Sequence, residues 1–146
     1  MLNLTLLVAV LIGACFATQP VINAVAGQAF GSALPAAALS VAITFVLTAG
    51  LTVATGTTPS IGAVMALPWW IVLGGVIGVL VVAGAAAIVP VTGAALFFVC
   101  FVAGQLGASV LLDHFGAIGL AVREISPLRL LGVIMAFGGV LCVRFG

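Results

Sequence analysis

Apolar residues run almost unbroken from Leu2 to Leu112, and what interrupts them is glycine, proline, small polar clusters and a few single amides. Read as punctuation, those breaks divide the sequence into five apolar segments. They cover about Leu2 to Ala24, Leu34 to Ala54, Trp69 to Ile88, Ala94 to Leu112 and Leu130 to Val143. A helix needs roughly 20 apolar residues to cross about 30 Å of hydrocarbon. The first four segments meet that length, and the last meets it if Arg129 and Arg144 snorkel to the two interfaces. Gly27 to Ser32 and Thr55 to Leu67 are expected as connections. Pro68 stands where proline opens a helix, with Trp69 and Trp70 at the depth of an interfacial aromatic belt. Pro90-Val91-Thr92-Gly93 is expected to reverse the chain tightly, making the third and fourth spans antiparallel neighbours. Pro20 removes one backbone hydrogen bond and is expected to kink the first helix near Phe16 to Gln19, where Thr18 or a neighbouring helix can serve the freed carbonyl. Asp113 to Leu128 is the only polar loop.

Composition turns this pattern into a class. Of 146 residues, 66% are hydrophobic and 3% charged, against about 25% charged in an ordinary soluble domain. A water-soluble globule is excluded, and so is nucleic acid as a partner, because no basic face exists to meet a phosphate backbone. The expected fold is an all-α integral membrane protein of five transmembrane helices in one domain. All five charged residues, Asp113, Arg123, Glu124, Arg129 and Arg144, fall in the last quarter. An odd number of spans puts Arg123 and Arg129 on one side and Arg144 on the other, a weak bias that leaves insertion in both orientations open. Cys15, Cys100 and Cys142 are odd in number and lie in apolar segments, which suggests packing rather than a disulfide framework. Ile12-Gly13-Ala14-Cys15 resembles a lipoprotein cleavage box, but the residues before it carry no Lys or Arg, so cleavage is not expected.

Polar residues recur every fourth position on three of the helices. A four-residue step rotates about 40° around the helix axis, so each series marks one broad face. The series are Cys15, Gln19, Asn23; then Ser40, Thr44, Thr48, Thr52; then Phe97, Phe101, Gln105, Ser109, ending in Asp113. An amide buried without a partner costs several kcal/mol, so Gln19, Asn23 and Gln105 are expected either to join helices or to face a cavity or ligand. The threonines can satisfy themselves on their own helix. Phe97, Phe98 and Phe101 read as core packing or as a stacking wall, and Trp69 and Trp70 as interfacial anchors or stacking surface. Gly74 and Gly78, with Gly75 between them, are spaced for close helix packing. Asp113, His114, Arg123 and Glu124 read as an ion-paired, solvated loop. No carboxylate or lysine lies near the middle of any span, so proton exchange on a mid-membrane acid has no residue to run on. The residues form neither a Ser/His/Asp set nor a metal constellation, and no enzyme, cofactor or metal is expected.

Several stretches resemble the five-span YdcZ-like branch of the drug/metabolite transporter superfamily. Gly13 with Gln19-Pro20-Val21-Ile22-Asn23-Ala24 is similar to its first helix, and Trp70 with Gly74-Gly75 and Gly78 to its third. Gln105-Leu106, Ser109, Asp113-His114-Phe115-Gly116, Ile125-Ser126, Arg129 and Gly132 resemble its fourth-helix end and final helix. The resemblance implies that the chain is equivalent to one inverted repeat of a ten-helix transporter, working in a bacterial inner membrane as an antiparallel homodimer. Small multidrug resistance proteins, also similar, export cations with a first-helix glutamate. Here that helix carries Gln19 and Asn23 instead. The expected function is therefore secondary transport or facilitation of a small neutral or amphipathic metabolite by alternating access. Gln19, Asn23 and Gln105 would supply hydrogen bonds, Phe101 and Trp70 stacking surface, and Thr44, Thr48 and Ser109 polar wall. A structural or accessory subunit whose polar stripes only join helices is the alternative, as is a lipid-handling protein with a headgroup in an uncharged groove.

Overall fold

A computed structural model describes residues 2–146. Among the described residues the chain is helix, turn and loop, and five helices are long and apolar enough to span a membrane. The order is α1 (Leu2–Phe30), α2 (Ala33–Ala54), a short α3 (Ile61–Met65), α4 (Val72–Thr92) preceded by a 3-10 turn at Trp69–Ile71, α5 (Ala94–Phe115) and α6 (Pro127–Phe145). The chain divides into two compact units, Met1–Val91 and Thr92–Gly146.

In the first unit α1 packs against α2. The buried side chains are small: Ala24 on α1, Ala36 and Ala37 on α2, and Ala85, Ala86 and Val89 on α4. Lipid tails are as apolar as leucine, so nothing drives large apolar side chains inward, and helices associate through close backbone approach over small residues. Leu, Ile and Phe accordingly stay exposed along all five spans. At Gly27 a Cβ would lie 3.3 Å from the Ala33 Cα, tighter than ordinary packing, so a side chain here would push the start of α2 away by a few tenths of an ångström.

The helix boundaries differ from the expected segments in instructive ways. α1 continues six residues past Ala24, through Gly27, and only Gly31 and Ser32 connect it to α2, with Ser32 capping by accepting the Leu34 N–H at 3.3 Å. The span Leu4–Phe30 is about 40 Å long at 1.5 Å per residue, so it tilts in the bilayer or projects from it. Pro20 lies inside α1 and is buried. Thr18 donates to the Cys15 carbonyl at 2.7 Å, one residue before the Phe16 carbonyl that Pro20 cannot serve. The Thr55–Leu67 connection contains α3, started by the Ser60 side chain, which accepts the Ala63 N–H at 3.2 Å. α4 runs on through Pro90 to Thr92, so the expected four-residue turn reduces to Gly93. Gly74, Gly75 and Gly78 have nothing within 4 Å of where a Cβ would be, so the expected close packing on that stripe is not made within the described residues.

In the second unit α5 packs on α6, and Ala103 is wholly buried. α5 ends at Gly116 in the left-handed conformation. α6 begins at Pro127, three residues earlier than expected, because Ser126 accepts the Arg129 N–H at 3.2 Å and proline suits the first turn. Its 19 residues cover about 28 Å, so Arg129 belongs to the first turn and Arg144 to the last.

Candidate functional site

Four uncharged polar residues of the first unit, Gln19, Asn23, Ser40 and Thr44, meet between α1 and α2. Gln19 is half-buried one turn before Asn23, and its Nε2 donates to the Ser40 Oγ at 3.4 Å. Asn23 is 6% exposed, and its buried Nδ2 has no hydrogen-bond partner among the described residues. Asn23, Ser40 and Thr44 line a cavity of about 220 Å³ whose remaining walls are apolar, among them Ile22, Leu39 and Ile43. The first 112 residues carry no charged side chain, so this cavity offers hydrogen bonds without a formal charge.

The threonines of α2 bond their own helix. Thr44 donates to the Ser40 carbonyl at 2.9 Å, Thr48 to the Thr44 carbonyl at 2.8 Å and Thr52 to the Ala49 carbonyl at 2.8 Å. Thr44 still lines the cavity, whereas Thr48 does not. The drift of a four-residue series explains this: two steps from Ser40, Thr48 has turned about 80° away. Trp70 sits in the 3-10 turn that opens the third span, 40% exposed and outside the cavity lining. Ser40, which no sequence argument singles out as a contact, is the acceptor that ties Gln19 to α2. Its membership of the Ser40 to Thr52 series is the signal that could have found it.

On α5, Phe101 stacks on Phe97 at a centroid distance of 5.5 Å and meets Phe98 edge-on at 6.4 Å. Gln105 and Ser109 follow on the same helix and are exposed. At its end the Asp113 carbonyl accepts the Gly116 N–H at 3.3 Å and the Arg123 N–H at 2.9 Å, while the Asp113 carboxylate lies 3.6 Å from the Arg129 guanidinium. The ion pair thus joins α5 to α6, rather than forming within the loop. Both partners are one-third exposed, which makes the pair a weak latch of about 0.5 kcal/mol. A double-mutant cycle on Asp113→Asn and Arg129→Gln should return a coupling of that size that shrinks with added salt. A salt-independent coupling several times larger would mean that the pair is not a surface contact. The His114 ring meets Phe115 edge-on at 5.0 Å, and its Nδ1 is buried without a partner.

No curated protein and no solved structure matches the chain. Residues 4–142 match the family described as "Putative inner membrane exporter, YdcZ", of the drug/metabolite transporter type. That match spans all five membrane helices, from the first described turn of α1 to the last turn of α6. The chain belongs to the YdcZ family of inner membrane exporters and is an integral, all-α protein of that membrane.

Proposed function

We propose that this exporter-family protein moves a small neutral or amphipathic metabolite by alternating access, as an antiparallel homodimer. The observation that carries the reading is the uncharged polar cavity between α1 and α2, lined by Asn23, Ser40 and Thr44, beside a buried Asn23 Nδ2 that has no hydrogen-bond partner among the described residues. Helix-joining accounts for the Gln19 to Ser40 bond and not for Asn23. The Asn23, Ser40 and Thr44 side chains set a few polar groups in an otherwise apolar wall, the composition of a small-molecule site. Thr44 lines the same wall. On α5, Phe101, Gln105 and Ser109 offer a ring face followed by two polar groups as a second contact surface, and Trp70 adds stacking area at the head of the third span.

The dimer rests on charge. Arg123 and Arg129 oppose Arg144, so the chain gives the insertion machinery almost no preference between its two orientations. Two oppositely inserted copies reproduce the inverted repeats on which alternating access is built in larger transporters. Orientation is measured directly by replacing Cys15, Cys100 and Cys142, introducing Gly146→Cys, and labelling intact and opened cells with an impermeant maleimide. Comparable labelling from the two sides is expected. Labelling from one side only would remove the antiparallel homodimer.

A further inference from the structure

Gln105 stands at the centre of α5, with residues 94–104 before it and 106–115 after it. Its carboxamide is therefore about 15 Å from either end of the span at 1.5 Å per residue, too far for a side chain of its length to snorkel to an interface. The residue is exposed, and among the described residues nothing hydrogen-bonds its side chain. Hydrocarbon offers an amide neither donor nor acceptor, so a polar side chain at this depth faces protein or a water-filled space. The face that carries Gln105 is the one α6 leaves open. Val99, Ala103 and Gly107 form the stripe of α5 toward α6: Ala103 is wholly buried, a Cβ at Gly107 would lie 3.9 Å from the Phe137 ring, and one at Gly139 3.8 Å from the Val99 Cγ2. At about 100° per residue, Phe101 and Gln105 are each turned about 160° from Ala103, and Ser109 about 120°.

We infer that this open face of α5 is where a second copy docks, with the two Gln105 carboxamides bonded to each other across the two-fold axis at mid-membrane. It rests on the antiparallel homodimer proposed above and locates its axis. In such a dimer the axis lies in the membrane plane, so a residue on it sits at mid-span and meets its own counterpart. Gln105 is at that level. A carboxamide is its own complement: each Nε2 donates to the other's Oε1, and both amides gain the partner that lipid denies them. A partner of another sequence would need an amide or hydroxyl of its own at the same depth, whereas a second copy brings one by symmetry. The flanks fit the antiparallel arrangement. Phe101 of one copy comes opposite Ser109 of the other, a ring against a small side chain, as close packing requires. A parallel pair would set ring on ring and serine on serine, and would bring two Asp113 carboxylates to the same end.

The test uses the full chain with Cys15, Cys100 and Cys142 replaced. Phe101→Cys and Ser109→Cys chains, carrying tags of different size and both keeping Gln105, are co-expressed, oxidised with iodine in native membranes and read on non-reducing gels. Bonds between position 101 of one chain and position 109 of the other are expected. Same-position bonds at 101 and at 109, or no covalent dimer, overturn the interface. Adding Gln105→Leu to both chains should raise the concentration in lipid at which half of them pair by about eightfold, the effect of losing two interhelical hydrogen bonds of average strength. Gln105→Asn, which keeps a carboxamide, should lose less. Equal pairing in the leucine variant and its parent would show that the amides are not bonded to each other, and overturns the assignment. The outcome is separable from the dimer's orientation. Two-sided labelling at position 146 without a 101-to-109 bond removes this interface alone and leaves another cover for Gln105, such as the first unit of the same chain; one-sided labelling with same-position bonds removes the antiparallel dimer itself.

Discussion

Replacing Asn23 by leucine should stabilise the folded chain by about 1–2 kcal/mol, whereas Gln19→Leu, one turn earlier, should destabilise it by about 0.6 kcal/mol. The signs differ because the two amides differ in partners. A buried N–H pair without an acceptor carries an uncompensated desolvation penalty of about 1–3 kcal/mol, and leucine, similar in size, removes it. The adjoining cavity of about 220 Å³ gives the new side chain room, so overpacking does not cancel the gain. Gln19 bonds Ser40 across to α2, and hydrogen bonds between membrane helices average about 0.6 kcal/mol. Reversible unfolding in mixed dodecylmaltoside and SDS micelles measures both. Where Asn23 serves the proposed transport site, its leucine variant should gain stability and lose transport together, the trade expected of a residue kept for function against the interest of the fold. A loss of stability of more than about 1 kcal/mol in Asn23→Leu would show instead that its amide is paired.

Gly116→Val should be the most damaging single change outside the spans, at about 3 kcal/mol or more. Gly116 ends α5 at φ 57°, and its Cβ would stand 2.7 Å from the Val122 Cγ2 and 3.1 Å from the Leu120 carbonyl oxygen. Two costs add: a β-branched residue in the left-handed region, and a collision with backbone that the Arg123 N–H to Asp113 carbonyl bond holds in place. The same turn already keeps Ile118 at φ 60°, so it has little slack to absorb a second strained residue. Gly104→Ala is the matched control. It lies inside α5 with nothing within 4 Å of its Cβ position, and should be neutral or slightly stabilising. Equal losses in the two variants, again read by micellar unfolding, would refute the account of the turn.

How far the sequence could be read follows from what each signal measures. Five spans were legible because lipid tolerates long charge-free runs only as helices, and the charges and prolines mark their separations. Helix ends were less legible because glycine and proline are weaker stops in a membrane. Gly27 extends α1 by admitting a neighbour, and Pro90 sits within the last turn of α4. α3 escaped notice because its five residues are too few for a periodicity to show. Four-residue spacing puts Gln19 and Asn23 on one face of α1, and there Gln19 meets Ser40 while Asn23, with Thr44 from the α2 series, lines the cavity. Thr48 lies outside the lining because the series rotates as it advances, and Ser40, which begins that series, lies within it. Spacing along one helix gives a direction, while the pairing of Gln19 with Ser40 depends on the register between two helices.

The threonine hydroxyls of α2 also have a mechanical consequence. Those of Thr44, Thr48, Thr52 and Thr55 add second donors to carbonyls of their own helix, from Ser40 to Thr52. A carbonyl that serves both a backbone amide and a hydroxyl holds the amide less tightly, and such back-bonding bends helices. The loaded carbonyls, those of Ser40, Thr44, Phe45, Ala49, Leu51 and Thr52, spread over about half of the helix circumference, so the loosening favours no single direction of bend and lets most of α2 give without a turn breaking or a charge crossing the membrane.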